Sequence, residues 1–383
     1  MSDQRRRSLE SWFDVTGDEL AQRAAQLFER ESGRAYPAPL VLCGLGRLGR
    51  IALSGLRRAG VEPIALADNS RSLQGTRVEG CDVLSVDDAV KKFGHEAVFV
   101  TTVYTARPLR DQLKALGARV ASSRAVFFQH ADVFLPHGSM QWPPAILAGR
   151  DDAIAGLSIW ADDASRDEYV AQLGWQLLVL TEMPAWVPPQ ETYFPTGLIH
   201  LGDTESFVDC GAFDGDTLRA IIDRTGGRFR RIVAMEPDPA NFANLSRFVG
   251  TLPPEMQGRI TLHNVATHSH RATLKFESGD GAGSNLSDGG DLEVQAASLD
   301  ELLANESPSF VKMDIEGAEP LALAGARATL ARHAPTLAIC LYHQREHLWE
   351  IPRIILDANP RYHLSLRRHS DESWETMCYA VAS

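Results

Sequence analysis

Two segments of the chain carry one signature, a short apolar strand that runs into a glycine turn opening a helix. In the first, Leu40-Val-Leu-Cys43 meets Gly44-Leu-Gly46-Arg-Leu-Gly49. In the second, Ser206-Phe-Val-Asp209-Cys meets Gly211-Ala-Phe-Asp214-Gly215-Asp216-Thr217. A strand, a helix and a further apolar strand close into a sheet by parallel pairing, because a crossover of that length replaces a hairpin. Both segments continue so. Apolar runs at residues 63–68, 97–103 and 119–121 follow the first; runs at 231–235, 260–266, 309–314 and 336–343 follow the second. The expected fold class is therefore α/β with two doubly wound domains, and 383 residues exceed what one core ordinarily holds.

The spacing predicts four parts. Residues 1–36 form a helical segment with Leu20, Ala24, Leu27 and Phe28 on one face. Residues 37–135 form the first sheet domain. Residues 136–200, punctuated by Trp142-Pro-Pro144 and Trp186-Val-Pro-Pro189, form a connector with a helix carrying Tyr169, Leu173 and Leu177. Residues 201–383 form the second sheet domain.

Charge and composition narrow the function classes. A formal net charge of -12 disfavours a nucleic-acid backbone or an anionic membrane as partner. No apolar run approaches the roughly 20 residues of a membrane span. The five cysteines are scattered, odd in number and without a C-x-x-C pair, which speaks against a disulfide framework or a zinc site. The start, MSDQRRRSLE, is basic but lacks an apolar stretch, so a cytoplasmic location is expected.

The first turn is Rossmann-like. Gly44, Gly46 and Gly49 give G-x-G-x-x-G after a strand, and Asp68 ends the next strand where a carboxylate reaches a ribose hydroxyl. The segment is either a second nucleotide site or a turn that needs glycine for packing alone. No Tyr-x-x-x-Lys pair follows it, which argues against hydride transfer.

The second turn differs by its acids. Asp209, Asp214 and Asp216 would repel a pyrophosphate and suit a ligand with positive charge, such as the amino group and sulfonium of S-adenosylmethionine. Gly211 and Gly215 let the backbone approach closely. Glu236, at the tip of the next strand before Pro237, is placed to accept ribose hydroxyls, and Asn264 and Ala266 end a third strand beside the adenine. Ala212 and Thr217 complete the expected cofactor contacts.

Three segments resemble the motif series of FkbM-type methyltransferases: Val208–Thr217, Glu236-Pro-Asp-Pro239 and Val311-Lys-Met-Asp314-Ile-Glu316-Gly-Ala-Glu319. The resemblance spans about residues 193–381, and Ala161-Asp-Asp-Ala-Ser-Arg166 resembles longer members. It implies a class I methyltransferase fold, a seven-stranded mostly parallel sheet with the last strand antiparallel. It also implies O-methylation of a sugar or a glycosylated or carrier-linked small molecule.

For catalysis the strand ends offer His343 as first base candidate and Asp314 as second. Asp314 and Glu316 could instead hold a Mg2+-like ion through oxygen ligands. Glu316 and Glu319 also suit the first turn of a helix without any catalysis. His268 and His270 read as surface groups, and Ser284-Asn285 either as a contact to cofactor or acceptor or as part of a mobile loop. The N-terminal domain could bind a nucleotide or nucleotide-sugar, carry a regulatory or redox function, or mediate a homodimer.

Overall fold

The computed structural model describes residues 2–277, 285–286 and 292–383. Two compact units emerge: Met1–Ile154 with Glu168–Trp186 and Ser370–Trp374, and Ala155–Asp167 with Val187–His369 and Glu375–Ser383. Residues 136–200 are distributed between both. The helix expected around Tyr169 spans Asp163–Leu177, and the buried Tyr169 hydroxyl donates to the Ala153 carbonyl at 2.7 Å.

The first unit is built on six strands: β1 (Leu40–Cys43), β2 (Ala65–Ala67), β3 (Arg77–Val78), β4 (Cys81–Leu84), β5 (Val98–Thr101) and β6 (Arg119–Ser122). Their order is β3-β4-β2-β1-β5-β6. All neighbours pair in parallel except β3 with β4. The β3–β4 hairpin turns on Glu79 and Gly80, both with positive φ (47° and 86°), the backbone that a two-residue turn between right-twisted strands demands. Strand β1 is buried along its whole length and lies between β2 and β5, so the winding direction reverses at its carboxyl end.

The second unit holds a seven-stranded sheet: β7 (Ser206–Cys210), β8 (Arg231–Met235), β9 (Ile260–His263), β14 (Phe310–Met313), β15 (Thr336–Cys340), β16 (Tyr362–Arg368) and β17 (Thr376–Ala382), in the order β16-β17-β15-β14-β7-β8-β9. Only β17 runs against its neighbours, which is the arrangement the sequence resemblance implies. A smaller sheet follows the order β10 (Ala266–Thr267), β13 (Leu292–Ala297), β11 (Ala272–Glu277), β12 (Asn285–Leu286). Phe194, Phe207 and Phe310 pack ring against ring within the core under β7 and β14.

The third strand of this unit is shorter than expected. Pairing of β8 with β9 stops at Met235 and His263, because Pro237 has no N–H to extend the ladder. The Asn264 side chain turns back onto the Glu236 and Pro237 carbonyls (2.8 and 3.1 Å), and Ala266 joins the smaller sheet opposite Ala296.

Candidate active site

The carboxyl ends of β7 and β14 meet where the winding of the large sheet reverses, the position at which open α/β sheets bind ligands. The turn after β7 depends on Gly211. Its φ is +82°, and a Cβ there would lie 1.9 Å from the Asp314 carbonyl oxygen, so only glycine lets the turn press against the end of β14. The Gly211 and Ala212 amides both donate to the Met235 carbonyl (3.1 and 3.0 Å), and the Gly215 amide donates to Ala212 (2.8 Å), closing the loop before helix Asp216–Thr225.

The three acids of this turn are not bare. Asp209 faces Lys312 Nζ at 2.9 Å, Asp214 pairs with Arg219 at 3.0 Å, and Asp216 accepts the amide of Thr217 at 2.6 Å. Burial pushes the Asp209 carboxyl up to about 6, against the pull of Lys312. Lys312 is fully buried; burial would lower its ammonium, but Asp209, Asp314 and Asp216 outweigh that and hold it raised. Its Nζ also donates to the Gly211 carbonyl at 2.6 Å and stands 5.2 Å from the Tyr193 ring centroid. The sequence reading missed Lys312. Its signal was a lysine at the centre of an otherwise apolar strand, which requires a buried partner.

Glu236 is buried at the tip of β8. Its oxygens accept the amides of Phe213 and Asp238, each at 2.9 Å, and burial lifts its carboxyl to about 7. Glu236 is thus fastened to the glycine turn, with Asn264 fixing the backbone behind it.

Beyond β14 and β15 lies a second polar group. Tyr193 donates to Asp314 Oδ2 at 2.8 Å, and Tyr342 reaches both Asp314 oxygens (3.1 and 3.2 Å). His343 Nε2 lies 3.4 Å from Asp314 Oδ1 and 3.8 Å from Glu316 Oε2, while Nδ1 lies 2.9 Å from Glu319 Oε1. Burial would lower the His343 imidazolium, yet Glu319, Asp314 and Glu316 outweigh it and raise it to about 9. Burial likewise would raise the Asp314 carboxyl, but Lys312, His343 and the Tyr193 hydroxyl hold it below its ordinary value. Glu319 is fully buried and also accepts the Ile315 amide at 3.0 Å, more than a helix-terminus role requires. Glu375 precedes β17 and faces the same group, its carboxyl lifted by burial to about 7. Sequence reasoning missed Tyr193, Tyr342 and Glu375, which reach Asp314 and its surroundings from other elements.

His268 and His270 neighbour each other at 5.2 Å between ring centroids; His270 is exposed as expected, whereas His268 is buried. Ser284 lies outside the described residues, and of Asn285 only the strand backbone is described.

In the first unit, Gly44 and Gly49 serve packing: a Cβ at Gly49 would stand 2.0 Å from the Gly44 carbonyl. Gly46 caps helix Arg47–Arg58 and has open space around it. Asp68 accepts the amides of Leu45 and Ser70, each at 2.7 Å.

The seven-stranded order with one antiparallel strand, and a carboxylate tip locked to a glycine turn, define a methyltransferase fold. Residues 209–367 match the model of the methyltransferase FkbM domain, so the second unit carries a methyltransferase domain of that type. The structure is similar to that of methyltransferase FkbM from Methylobacillus flagellatus KT, with 23% identity and a TM-score of 0.75 over 99% of this chain and 100% of that one. That likeness extends through both units as fold. An rRNA methylase from Streptococcus thermophilus aligns over 48% of this chain and 89% of its own, with 12% identity and a TM-score of 0.32. No curated protein matches the sequence. No helix among the described residues is long and apolar enough to cross a membrane.

Proposed function

We propose that the protein transfers the methyl group of S-adenosylmethionine to a hydroxyl of a sugar or of a glycosylated or carrier-linked small molecule. The observation that carries this reading is the contact of Gly211 with the Asp314 backbone, which sets the donor turn against a carboxylate held by two tyrosines. On the donor side, Asp209, Gly211, Ala212, Asp214, Gly215 and Thr217 cradle the amino-acid end. Glu236 and Pro237 take the ribose, and Asn264 and Ala266 stand on the adenine side.

On the acceptor side, Asp314 stays ionised and accepts the hydrogen bond of the incoming hydroxyl. The hydroxyl oxygen attacks the methyl carbon as the carbon–sulfur bond breaks, and the hydroxyl proton passes to Asp314 or to water. Most of the barrier lowering comes from alignment, since a sulfonium is already an activated donor. His343, protonated at neutral pH, is a cation that orients Asp314, with Glu316 beside it; it is not a free base.

The test is release of S-adenosylhomocysteine against a panel of sugars, nucleotide-sugars and glycosylated small molecules, with Asp314→Asn in parallel. A hydroxyl acceptor whose turnover falls at least tenfold in the variant supports the reading. Turnover on amine acceptors alone would sink it.

A second reading concerns the first unit. Leu45 donates to Asp68 across the same sequence separation, 23 residues, as Phe213 to Glu236. This repeats the donor-turn arrangement, favouring a nucleotide or nucleotide-sugar handle there. Titration with NADH and with a uridine-diphosphate sugar tests it, and no binding of either rejects it.

A further inference from the structure

The acceptor side of the second unit holds more carboxylates than cations. Asp314, Glu316 and Glu319 surround His343, and Glu375 faces them, while Lys312 is already engaged by Asp209 and Gly211. Asp314, Glu319 and His343 each offer a ligand atom within 4.8 Å of the others'. From these contacts we propose that the cluster binds one divalent cation through Asp314 and Nε2 of His343, with Glu319 as the outer partner of the histidine and Glu316 at the open side. The cluster is the acceptor wall of the proposed methyl transfer, so the inference rests on that reading and deepens it.

Three observations carry it. The first is spacing. Metal–ligand distances of about 2.1 Å place neighbouring ligand atoms ~3.0 Å apart in an octahedron and ~3.4 Å apart in a tetrahedron. Nε2 stands 3.4 Å from Asp314 Oδ1, the edge of a tetrahedron, and 3.8 Å from Glu316 Oε2, longer than either edge and within a small side-chain shift of one; both are long for hydrogen bonds.

The second is the histidine itself. Its side chain is 8% exposed, and Nε2 makes no directed hydrogen bond despite the carboxylates around it. A buried imidazole of this kind is aimed at a partner.

The third is what stands behind the ring. Glu319 Oε1, fixed by the Ile315 amide, faces Nδ1 at 2.9 Å. Metal-binding histidines carry such a carboxylate on the far nitrogen, where it sets the tautomer and raises ligand basicity. Tyr193 and Tyr342 hold Asp314 in the same way.

One imidazole with carboxylates suits a first-row ion such as Mn2+ better than an all-oxygen cage would. Such an ion would displace the Nε2 proton that His343 carries in its absence, and it would lower the pKa of an acceptor hydroxyl and orient it.

The experiment is titration of EDTA-stripped full-length protein with Mn2+ alone, following free Mn2+ by electron paramagnetic resonance. S-adenosylhomocysteine is titrated in parallel. One saturating Mn2+ per chain is expected, weakened at least tenfold by Asp314→Asn and by His343→Gln with S-adenosylhomocysteine binding retained. Glu316→Gln, at a partly exposed position, gives the same readout should either of those variants fail to fold. No saturable Mn2+ up to millimolar in protein that binds S-adenosylhomocysteine would overturn the proposal. So would a bound Mn2+ indifferent to all three substitutions. Mn2+ binding that these substitutions abolish, in protein with no affinity for S-adenosylhomocysteine, would uphold the metal site and sink the donor reading instead.

Discussion

Lys312 Nζ lies 2.9 Å from Asp209 Oδ1, with both side chains buried on the two central strands of the large sheet. The two residues are direct partners in the β14–β7 ladder, so strand register brings the charges together before any ligand arrives. The same Nζ donates to Gly211, which ties the ion pair to the backbone of the donor turn. Removing one charge from such a pair leaves the other buried and uncompensated, which costs about 3–5 kcal/mol. Lys312→Met is expected to lose that much in urea unfolding and to bind S-adenosylhomocysteine at least tenfold more weakly. A Lys312→Met/Asp209→Asn double variant should regain much of the stability and none of the affinity. Equal stability of the single variant and the wild type would show that the pair contributes little.

Glu236 predicts a pH dependence of opposite sign for binding and for stability. Burial moves its carboxyl from an ordinary 4.5 to about 7, so the folded state prefers the protonated form. That contribution to stability is fully present below 4.5 and fades as pH rises towards 7. Ribose hydroxyls need the carboxylate as acceptor. Affinity for S-adenosylhomocysteine should therefore fall roughly tenfold per pH unit below 7 and level off above it. Calorimetry from pH 5.5 to 8.5 measures this, and Glu236→Gln should give weak binding with a flat profile. A flat profile in the wild type would remove Glu236 from the ribose contact.

Much of this arrangement was legible in the sequence, for a definite physical reason. Asp209, Gly211 and Glu236 sit at strand ends, where pattern and turn chemistry locate a residue to within one or two positions. The seven-stranded order followed from the motif resemblance. Lys312, Tyr193, Tyr342 and Glu375 were not legible, because their meaning lies in contacts between elements far apart in the chain. Tyr193 precedes β7, while its partner Asp314 follows β14, 121 residues later. The charge argument for the donor turn also needed revision: three acids in one turn suggested a site for a positively charged ligand, but Lys312 and Arg219 answer two of them. Sequence order hides such cations until register and helix pitch place them.

Asp68 should stabilise the first unit without touching donor binding in the second. Its carboxylate accepts the Leu45 and Ser70 amides, and Asp68→Ala would leave both without that acceptor. A loss of about 1–3 kcal/mol is expected, with Asp68→Asn intermediate. Differential scanning calorimetry reads the stability, and S-adenosylhomocysteine affinity should stay within twofold of wild type. A large drop in that affinity would mean that Asp68 supports the donor site and does more than brace its own turn.

The tightest constraint falls on Gly211, and a paired substitution separates its two components. A left-handed backbone alone costs a non-glycine residue about 1–2 kcal/mol. Gly226, at the end of helix Asp216–Thr225, has φ +59°, and a methyl there would come no nearer than 3.5 Å to its closest neighbour, the guanidinium end of Arg228. Gly226→Ala should therefore show only the backbone cost. Gly211→Ala meets the same backbone cost at φ +82° and must also displace the Asp314 carbonyl, 1.9 Å from the added carbon. That displacement moves the donor turn and the acceptor carboxylate relative to each other. Thermal melts should show a larger loss for Gly211→Ala, and calorimetry should show at least a tenfold loss of S-adenosylhomocysteine affinity that Gly226→Ala does not share. If both variants bound alike, the close approach of the turn to β14 would be a packing detail and not the element that aligns donor and acceptor.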